Sequence, residues 1–450
     1  MGAISYGSRQ AGRKALCSEP VSSQIVTFSP CIPYAGIDHA GGGLLQSYLE
    51  ATAELGERLL VVPERYDDGL HLAACTLAEV HMVAEQPRRG VEGDTTPLQL
   101  ALLPLPETVK PGLLHALSQD RLVKERLREA SIVEYQWHHM ATLLPWARRL
   151  APQARHVITF HDVISQRISR EAEDATGAWG LRLRYSRHAA RLSEAILARM
   201  ADACIVLSDK DARLLPQGAR VVIARPPVRL DSSPRRDSGL ERSSAPNQYS
   251  EPNHDSGPGR DSAPELSGLA GVHPCFIFAA AFQRKQNLEA ASWLCREIWP
   301  LIRQRLPEAE LRLAGADPES ALTSLVAATP GAVRTGYVDD LAAEYERADV
   351  ALIPLLHGAG VKLKTIEALL TATPAVTTAV GAEGIARATD FLTLADTATA
   401  FASAAVDLAT NPTPNTQARA LAGRQWASAA HGPEQFRASL LEALSPVEAG

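Results

Sequence analysis

The residues best suited to chemistry lie in the stretch Leu355 to Thr378, LLHGAGVKLKTIEALLTATPAVTT. An apolar run ends there in a glycine-rich loop, and a helical pattern starts near Val361. Gly358 and Gly360 leave backbone amides able to hold phosphate oxygens. Lys362 and Lys364 bring positive charge to the first helical turn, where it opposes the helix dipole. A helix selected for stability alone would not carry lysines there, and an anionic ligand would resolve the conflict. Glu367 follows Lys364 by three residues and shares its face. Its carboxylate can accept both hydroxyls of a ribose. The plainer alternative is a surface Lys–Glu pair on an ordinary helix.

Three further places have suitable residue types. IPYAGIDHAGGGLL (Ile32 to Leu45) follows the first apolar run and ends where a helix begins. Its glycines, Gly42 and Gly43 among them, let a backbone approach a ligand at a helix N-terminus that favours anions. Such turns also occur merely to pack tightly. No GxGxxG fingerprint and no Walker lysine follows the run, which argues against an NAD enzyme and a P-loop ATPase. In TFHDV (Thr159 to Val163), His161 and Asp162 end an expected strand, so the imidazole can accept a proton or bond a sugar hydroxyl. A His–Asp pair that only closes a loop is the alternative. In AAAFQRKQNLEAA (Ala279 to Ala291), Arg284 and Lys285 precede a helix and suit a diphosphate clamp. They suit a solvated surface pair nearly as well.

These groups need elements to position them. QIVTFS (Gln24 to Ser29), LLVVP (Leu59 to Pro63), LQLALLPL (Leu98 to Leu105), SIVEYQ (Ser131 to Gln136), HVITF (His156 to Phe160), CIVLS (Cys204 to Ser208) and VVIA (Val221 to Ala224) are continuous apolar runs. That pattern predicts strands of a parallel sheet covered on both faces. CFIFAAA (Cys275 to Ala281), ELRLAG (Glu310 to Gly315), DVALIP (Asp349 to Pro354) and PAVTT (Pro374 to Thr378) repeat it in the second half. Helical patterns lie between the runs, so βαβ units are expected. The segment around residues 230–269 is rich in Ser, Pro, Gly and charge and reads as a linker or long loop. The expected division is a tail at 1–22, a first Rossmann-like domain at 23–229, the linker at 230–269, a second Rossmann-like domain at 270–430 and a last helical segment at 431–450. The fold class is α/β, with a central cleft between two parallel-sheet domains.

The chain has 450 residues, 46% apolar and 21% charged, with a formal charge of -6. That length suits two domains. The charge argues against a nucleic-acid partner, which needs clustered Lys and Arg. The six cysteines show no CxxC pair and no metal-ligand spacing with histidine, so thiols in a reducing, cytoplasmic setting and no metal site are expected. No apolar run approaches the roughly 20 residues that span a bilayer. The first residues match neither a signal peptide nor the myristoylation pattern. Trp137, Trp146, Arg148 and Arg149 leave a peripheral contact with the inner membrane face open, against the alternative of a core helix with a solvated end.

The second half, from Cys275 to about Leu444, resembles the large family of retaining glycosyltransferases with the GT-B fold that includes sucrose synthase and bacterial mannosyltransferases. FIFAAAFQRKQN, IWPLIRQRLPEAELRLAG and GYVDDLAAEYERADVALIPLLHGAGVKLKTIEALLTATPAVTTAVGAEGI carry the resemblance. The first half matches more loosely, through the glycine turn, TFHD and CIVLSDKDARLL. The resemblance implies a nucleotide-diphosphate sugar donor and a polysaccharide, lipid-linked or small-molecule acceptor, with retention and without a metal or other cofactor. It implies that Lys364, with Arg284 or Lys285, neutralises the donor diphosphate, and that Glu367 binds the ribose. Gly42 and Gly43 would face the diphosphate from the first domain, His161 would touch the transferred sugar, and the last helix would cross back to the first domain. Two features depart from the family. Ala359 stands where many members carry a sugar-contacting glutamate, as in a subgroup with the loop GAGxKxK, and the basic turn is more compact than usual. Two other readings share the architecture. One is a UDP-sugar epimerase, which needs acids such as Asp38, Glu134 or Asp162. The other is a non-catalytic sugar-nucleotide-binding protein.

Overall fold

Apolar runs without alternation build strands buried on both faces. The computed structural model describes residues 23–34, 37, 40–64, 72, 75–84, 108–173, 175–228, 273–317, 321–358 and 361–446, and within them such strands form two sheets. The first contains Ser23–Phe28 (β1), Gly56–Pro63 (β2), Glu79–Val83 (β3), Ile132–Gln136 (β4), Arg155–Phe160 (β5), Ala203–Val206 (β6) and Val221–Ile223 (β7), in the order β3-β2-β1-β4-β5-β6-β7. The second contains Cys275–Ala279 (β8), Glu310–Ala314 (β9), Ala332–Gly336 (β10), Val350–Ile353 (β11), Ala375–Thr377 (β12) and Thr393–Leu394 (β13), in the order β10-β9-β8-β11-β12-β13. Every pairing is parallel, with Phe28 opposite Tyr135 and Phe276 opposite Val350. Each sheet thus begins in its middle and reverses direction there, between β1 and β4 and between β8 and β11. Crevices for ligands open beyond the strand ends at such reversals.

Side chains of β5 and β6 alternate between two cores. Ile158, Phe160, Cys204 and Val206 pack on one face with Phe28, Val133 and Trp146. Val157, Ala203 and Ile205 pack on the other with Leu45, Tyr48 and Leu49 of the helix Ala40–Thr52. Phe436, Leu440, Ala443 and Leu444 of the helix Pro433–Leu444 complete that second core, so the last helix seals the first domain. Arg155 Nε and Arg220 Nη2 donate to its closing carbonyls, Ala443 O at 2.9 Å and Glu442 O at 2.7 Å. The second domain has one continuous core around Phe276, Phe278, Trp299 and Phe401.

β3, β10 and β13 escape the apolar-run pattern. EVHMV and AVRTG are half-polar because they are edge strands of their sheets and are mostly only partly buried, and β13 has only 2 residues. The run LQLALLPL, the tail 1–22 and the segment 230–269 lie outside the described residues, as do Asp38, Ala359 and Gly360. Two readings of the first domain need correction. Trp146 is 2% exposed and sits in the core, Trp137 stacks on His161, and Arg148 bonds Asp202 at 2.9 Å and Met200 O at 2.8 Å, so these three side chains are engaged within the domain and Arg149 is left exposed. Glu134 is a buried structural group. It pairs with Arg58 at 3.2 Å and accepts from Tyr48 and Thr27 hydroxyls at 3.0 and 2.5 Å, which removes it as an acid for elimination chemistry.

Candidate active site

The loops beyond both reversals meet in one cluster. In the second domain the helix Leu363–Leu370 starts just after β11, with Lys362 at its N-cap and Lys364 in its first turn. Lys364 is held firmly. Its Nζ donates to Asn287 Oδ1 at 2.7 Å and lies 5.8 Å from the centre of the Phe278 ring. The Asn287 amide is oriented by its own donation to Ala281 O at 2.8 Å. Burial lowers Lys364 to about 8, with Glu367 pulling upward and Arg284 adding to the fall. Burial likewise lowers Lys362 to about 7, helped by Arg170, Lys210 and Lys364 and opposed by Asp162. These are the signs of cations crowded together out of water.

Glu367 shares the face of Lys364. The Tyr345 hydroxyl donates to Lys364 O at 3.1 Å and approaches Glu367 Oε2 at 3.5 Å. Burial raises the Glu367 carboxyl, and Lys364 and Tyr345 act against that rise. Arg284 occupies the N-cap of the helix Lys285–Trp293 and is exposed, and its charge acts to lower both Lys364 and Asp162. The Lys285 side chain is 89% exposed and pairs with Glu289 at 3.7 Å, because one residue further into the helix turns it away toward solvent.

Gly358 has φ +131°, a backbone region that side chains disfavour. Its carbonyl accepts from Arg170 of the helix Ile164–Glu173 in the first domain. Arg170 and Lys210 both reach Glu383, a carboxylate of the loop after β12, and Lys362 approaches the same group at 3.5 Å. The Glu383 loop is anchored by Thr365 Oγ1, which donates to Gly381 O at 2.7 Å, and by Gly384 at φ +84°, where an added Cβ would lie 2.8 Å from Val361. Cations from two domains therefore converge on one second-domain carboxylate. Asp162 and Asp211 lie close by, and burial raises both.

His161 follows β5 directly and is 8% exposed. Its ring stacks on Trp137 with centroids 3.6 Å apart and planes 6° apart, and its Nε2 is 3.1 Å from Gln136 Oε1. Trp137 has φ +67°, a strained value for a bulky residue and one that recurs at functional sites. The glycine turn explains how that indole is accommodated. Gly41 to Gly43 form the first turn of Ala40–Thr52, not a loop before it. A Cβ on Gly41 would sit 2.7 Å from the Trp137 ring, whereas one on Gly43 meets nothing within 4 Å. Gly41 is thus small for packing, and Gly43 borders open space.

Arg170, Lys210, Glu383 and Asn287 were not singled out by sequence patterns, and Trp137 stands there only as a membrane-facing candidate, not as a residue of this site. Lys210 had a usable signal, a lysine in the first turn of Asp209–Leu214 just after β6. Arg170 is one arginine among many and had none. Among the described residues no group of His, Cys, Asp and Glu is arranged to hold a metal ion.

Residues 273–411 match the family model described as Glycosyl transferases group 1. No curated protein matches in sequence. Solved structures match across nearly the whole chain. Sucrose-phosphate synthase from Thermosynechococcus elongatus is 15% identical at TM-score 0.60, covering 93% of this chain and 98% of its own. HepE of Anabaena, solved with UDP and glucose, is 14% identical at TM-score 0.56, covering 94% and 100%. WaaG, a glycosyltransferase involved in lipopolysaccharide biosynthesis, is 12% identical at TM-score 0.57, covering 94% and 100%.

Proposed function

We propose, for a chain that has the fold of these solved glycosyltransferases and whose residues 273–411 match the group 1 model, transfer of a hexose from a nucleoside diphosphate to an acceptor hydroxyl with retention. The observation that carries this reading is the convergence of Arg170, Lys210 and Lys362 beside Lys364 at the ends of both sheets. In this reading the diphosphate lies against Lys364, Lys362, Gly358 and Arg284, and Gly42 and Gly43 approach it from the first domain. Gly360 falls in the same loop. Glu367 accepts the ribose hydroxyls, and His161 bonds a hydroxyl of the transferred sugar. HepE has been solved with UDP and with UDP-glucose, which makes uridine nucleotides the first donors to test.

The bond from the anomeric carbon to the diphosphate oxygen breaks, and the acceptor oxygen attacks from the same face. The acceptor proton passes to the departing phosphate oxygen. The main task for the protein is then to neutralise charge growing on the diphosphate, with cations already placed in a site shielded from water. The acceptor is a glycan, a lipid-linked saccharide or a small molecule.

Calorimetric titration of Lys364→Ala with UDP and with uridine tests the reading. A charged hydrogen bond contributes about 1.5–3 kcal/mol, so UDP binding is expected to weaken roughly tenfold to a hundredfold while uridine binding barely changes. Equal loss for both ligands would remove the diphosphate role from Lys364.

A further inference from the structure

Large apolar side chains exposed over more than half their surface are few among the described residues. Apart from Tyr337 at 70%, they all sit on one helix, Gly177–Met200: Trp179 at 58%, Leu181 at 67%, Tyr185 at 71% and Leu192 at 61%. Leu181, Tyr185, His188 and Leu192 are spaced four, three and four residues apart and share one exposed face. The opposite face is spent on packing. Leu183 and Ala190 join Ile164 and Ile168 of the helix Ile164–Glu173, and Leu197 and Ala198 enter the main core of the first domain.

The exposed face is also basic. Arg184 and Arg191 lie on one flank of the stripe and Arg182 on the other, all exposed. The Arg182 guanidinium is 5.7 Å from the centre of the Trp179 ring. The only acidic residue of this helix is Glu194, which is 2% exposed and accepts from Ser165 N at 3.0 Å, so it does not temper the surface charge. On a chain with formal charge -6 this is a local concentration of arginine. No described helix is long and apolar enough to cross a membrane.

We infer that the exposed stripe Leu181–Tyr185–Leu192, with its flanking arginines, docks on an anionic lipid bilayer surface. Aromatic and leucine side chains sit at the headgroup boundary while arginines meet lipid phosphates, as in interfacial helices. The charge points to an anionic bilayer, since a neutral partner gains nothing from Arg182, Arg184 and Arg191. The paired helix carries Arg170 to Gly358 and Glu383, so docking here holds the edge of the cleft near the bilayer. The inference does not rest on the transfer reading, because bilayer binding needs no donor.

Flotation of the full chain with phosphatidylcholine vesicles, with and without phosphatidylglycerol, tests it. The chain should float with the anionic vesicles only, and less as salt rises. Each basic residue at an anionic surface contributes roughly fivefold in partition, so the double variant Arg184→Gln and Arg191→Gln should partition roughly 25-fold less. Arg184→Lys with Arg191→Lys should partition like the parent, and Leu181→Ser with Leu192→Ser should partition less. Absence of binding, equal binding to both vesicle types, or equal loss in the lysine variant would overturn the inference. So would a concentration-dependent dimer abolished by Leu181→Ser with Leu192→Ser, which would assign the stripe to self-association.

Discussion

A lysine ammonium removed from water favours losing its proton, and other cations nearby strengthen that tendency. Lys362, near 7, and Lys364, near 8, show both effects. The sign of the consequence follows. An unfolded lysine keeps its proton to about 10.5, so between about 7 and 10.5 the unfolded chain holds a proton that folded Lys362 lacks. This group therefore makes the ligand-free protein more stable as pH rises through that window. A bound diphosphate has the opposite preference, because it attracts the charged form. Donor binding should take up a proton and weaken as pH rises above about 7. Titrations of UDP in buffers of different ionisation enthalpy measure that uptake directly, and a proton count of zero across the window would exclude Lys362 from the diphosphate site. The sequence made these lysines visible because a first-turn cation is costly to a helix unless an anion answers it. Glu383 was not visible, since nothing local in TAVGAEGI shows that a carboxylate there will face Arg170 and Lys210 from another domain.

At the scale of elements, the chemistry sits where parallel strands end. The central strands were readable because burial on both faces demands unbroken apolar runs, as in ACIV of β6, buried throughout. The edge strands β3 and β10 tolerate polar residues and so gave no such signal. The glycine turn was readable in type but not in detail. Its glycines form a helical turn, and they separate into a packing position and an open one. That separation makes a prediction. Gly41→Ala pushes a Cβ toward the Trp137 ring at 2.7 Å and should lower stability by about 1–3 kcal/mol, the range for overpacking. Gly43→Ala has room, so its melting temperature should stay near that of the parent while donor affinity falls. Thermal melts paired with UDP titration check both. Undiminished affinity in Gly43→Ala would mean that the diphosphate does not approach this turn.

At the scale of the whole molecule, two doubly wound domains turn the ends of their central strands toward a shared cluster of charge, and the last helix ties the end of the chain to the first domain. Arg170 and Lys210 meet Glu383 across the junction, so the site is complete only when both domains contribute. This explains why the sequence of the second half alone offered candidate nucleotide-binding residues, while the first-domain cations emerged only from the three-dimensional arrangement. A structural glutamate at position 134, locked to Arg58, disfavours the epimerase alternative. The non-catalytic alternative separates from transfer by turnover. The most direct measurement incubates the full chain with UDP-, GDP- and dTDP-hexoses and follows release of the nucleoside diphosphate alongside binding of each donor. The account predicts binding and turnover with at least one donor, with turnover reduced in Lys364→Ala. Binding of none of them, or binding of one with no release in the presence of a panel of glycan, lipid-linked and small-molecule acceptors, would contradict it.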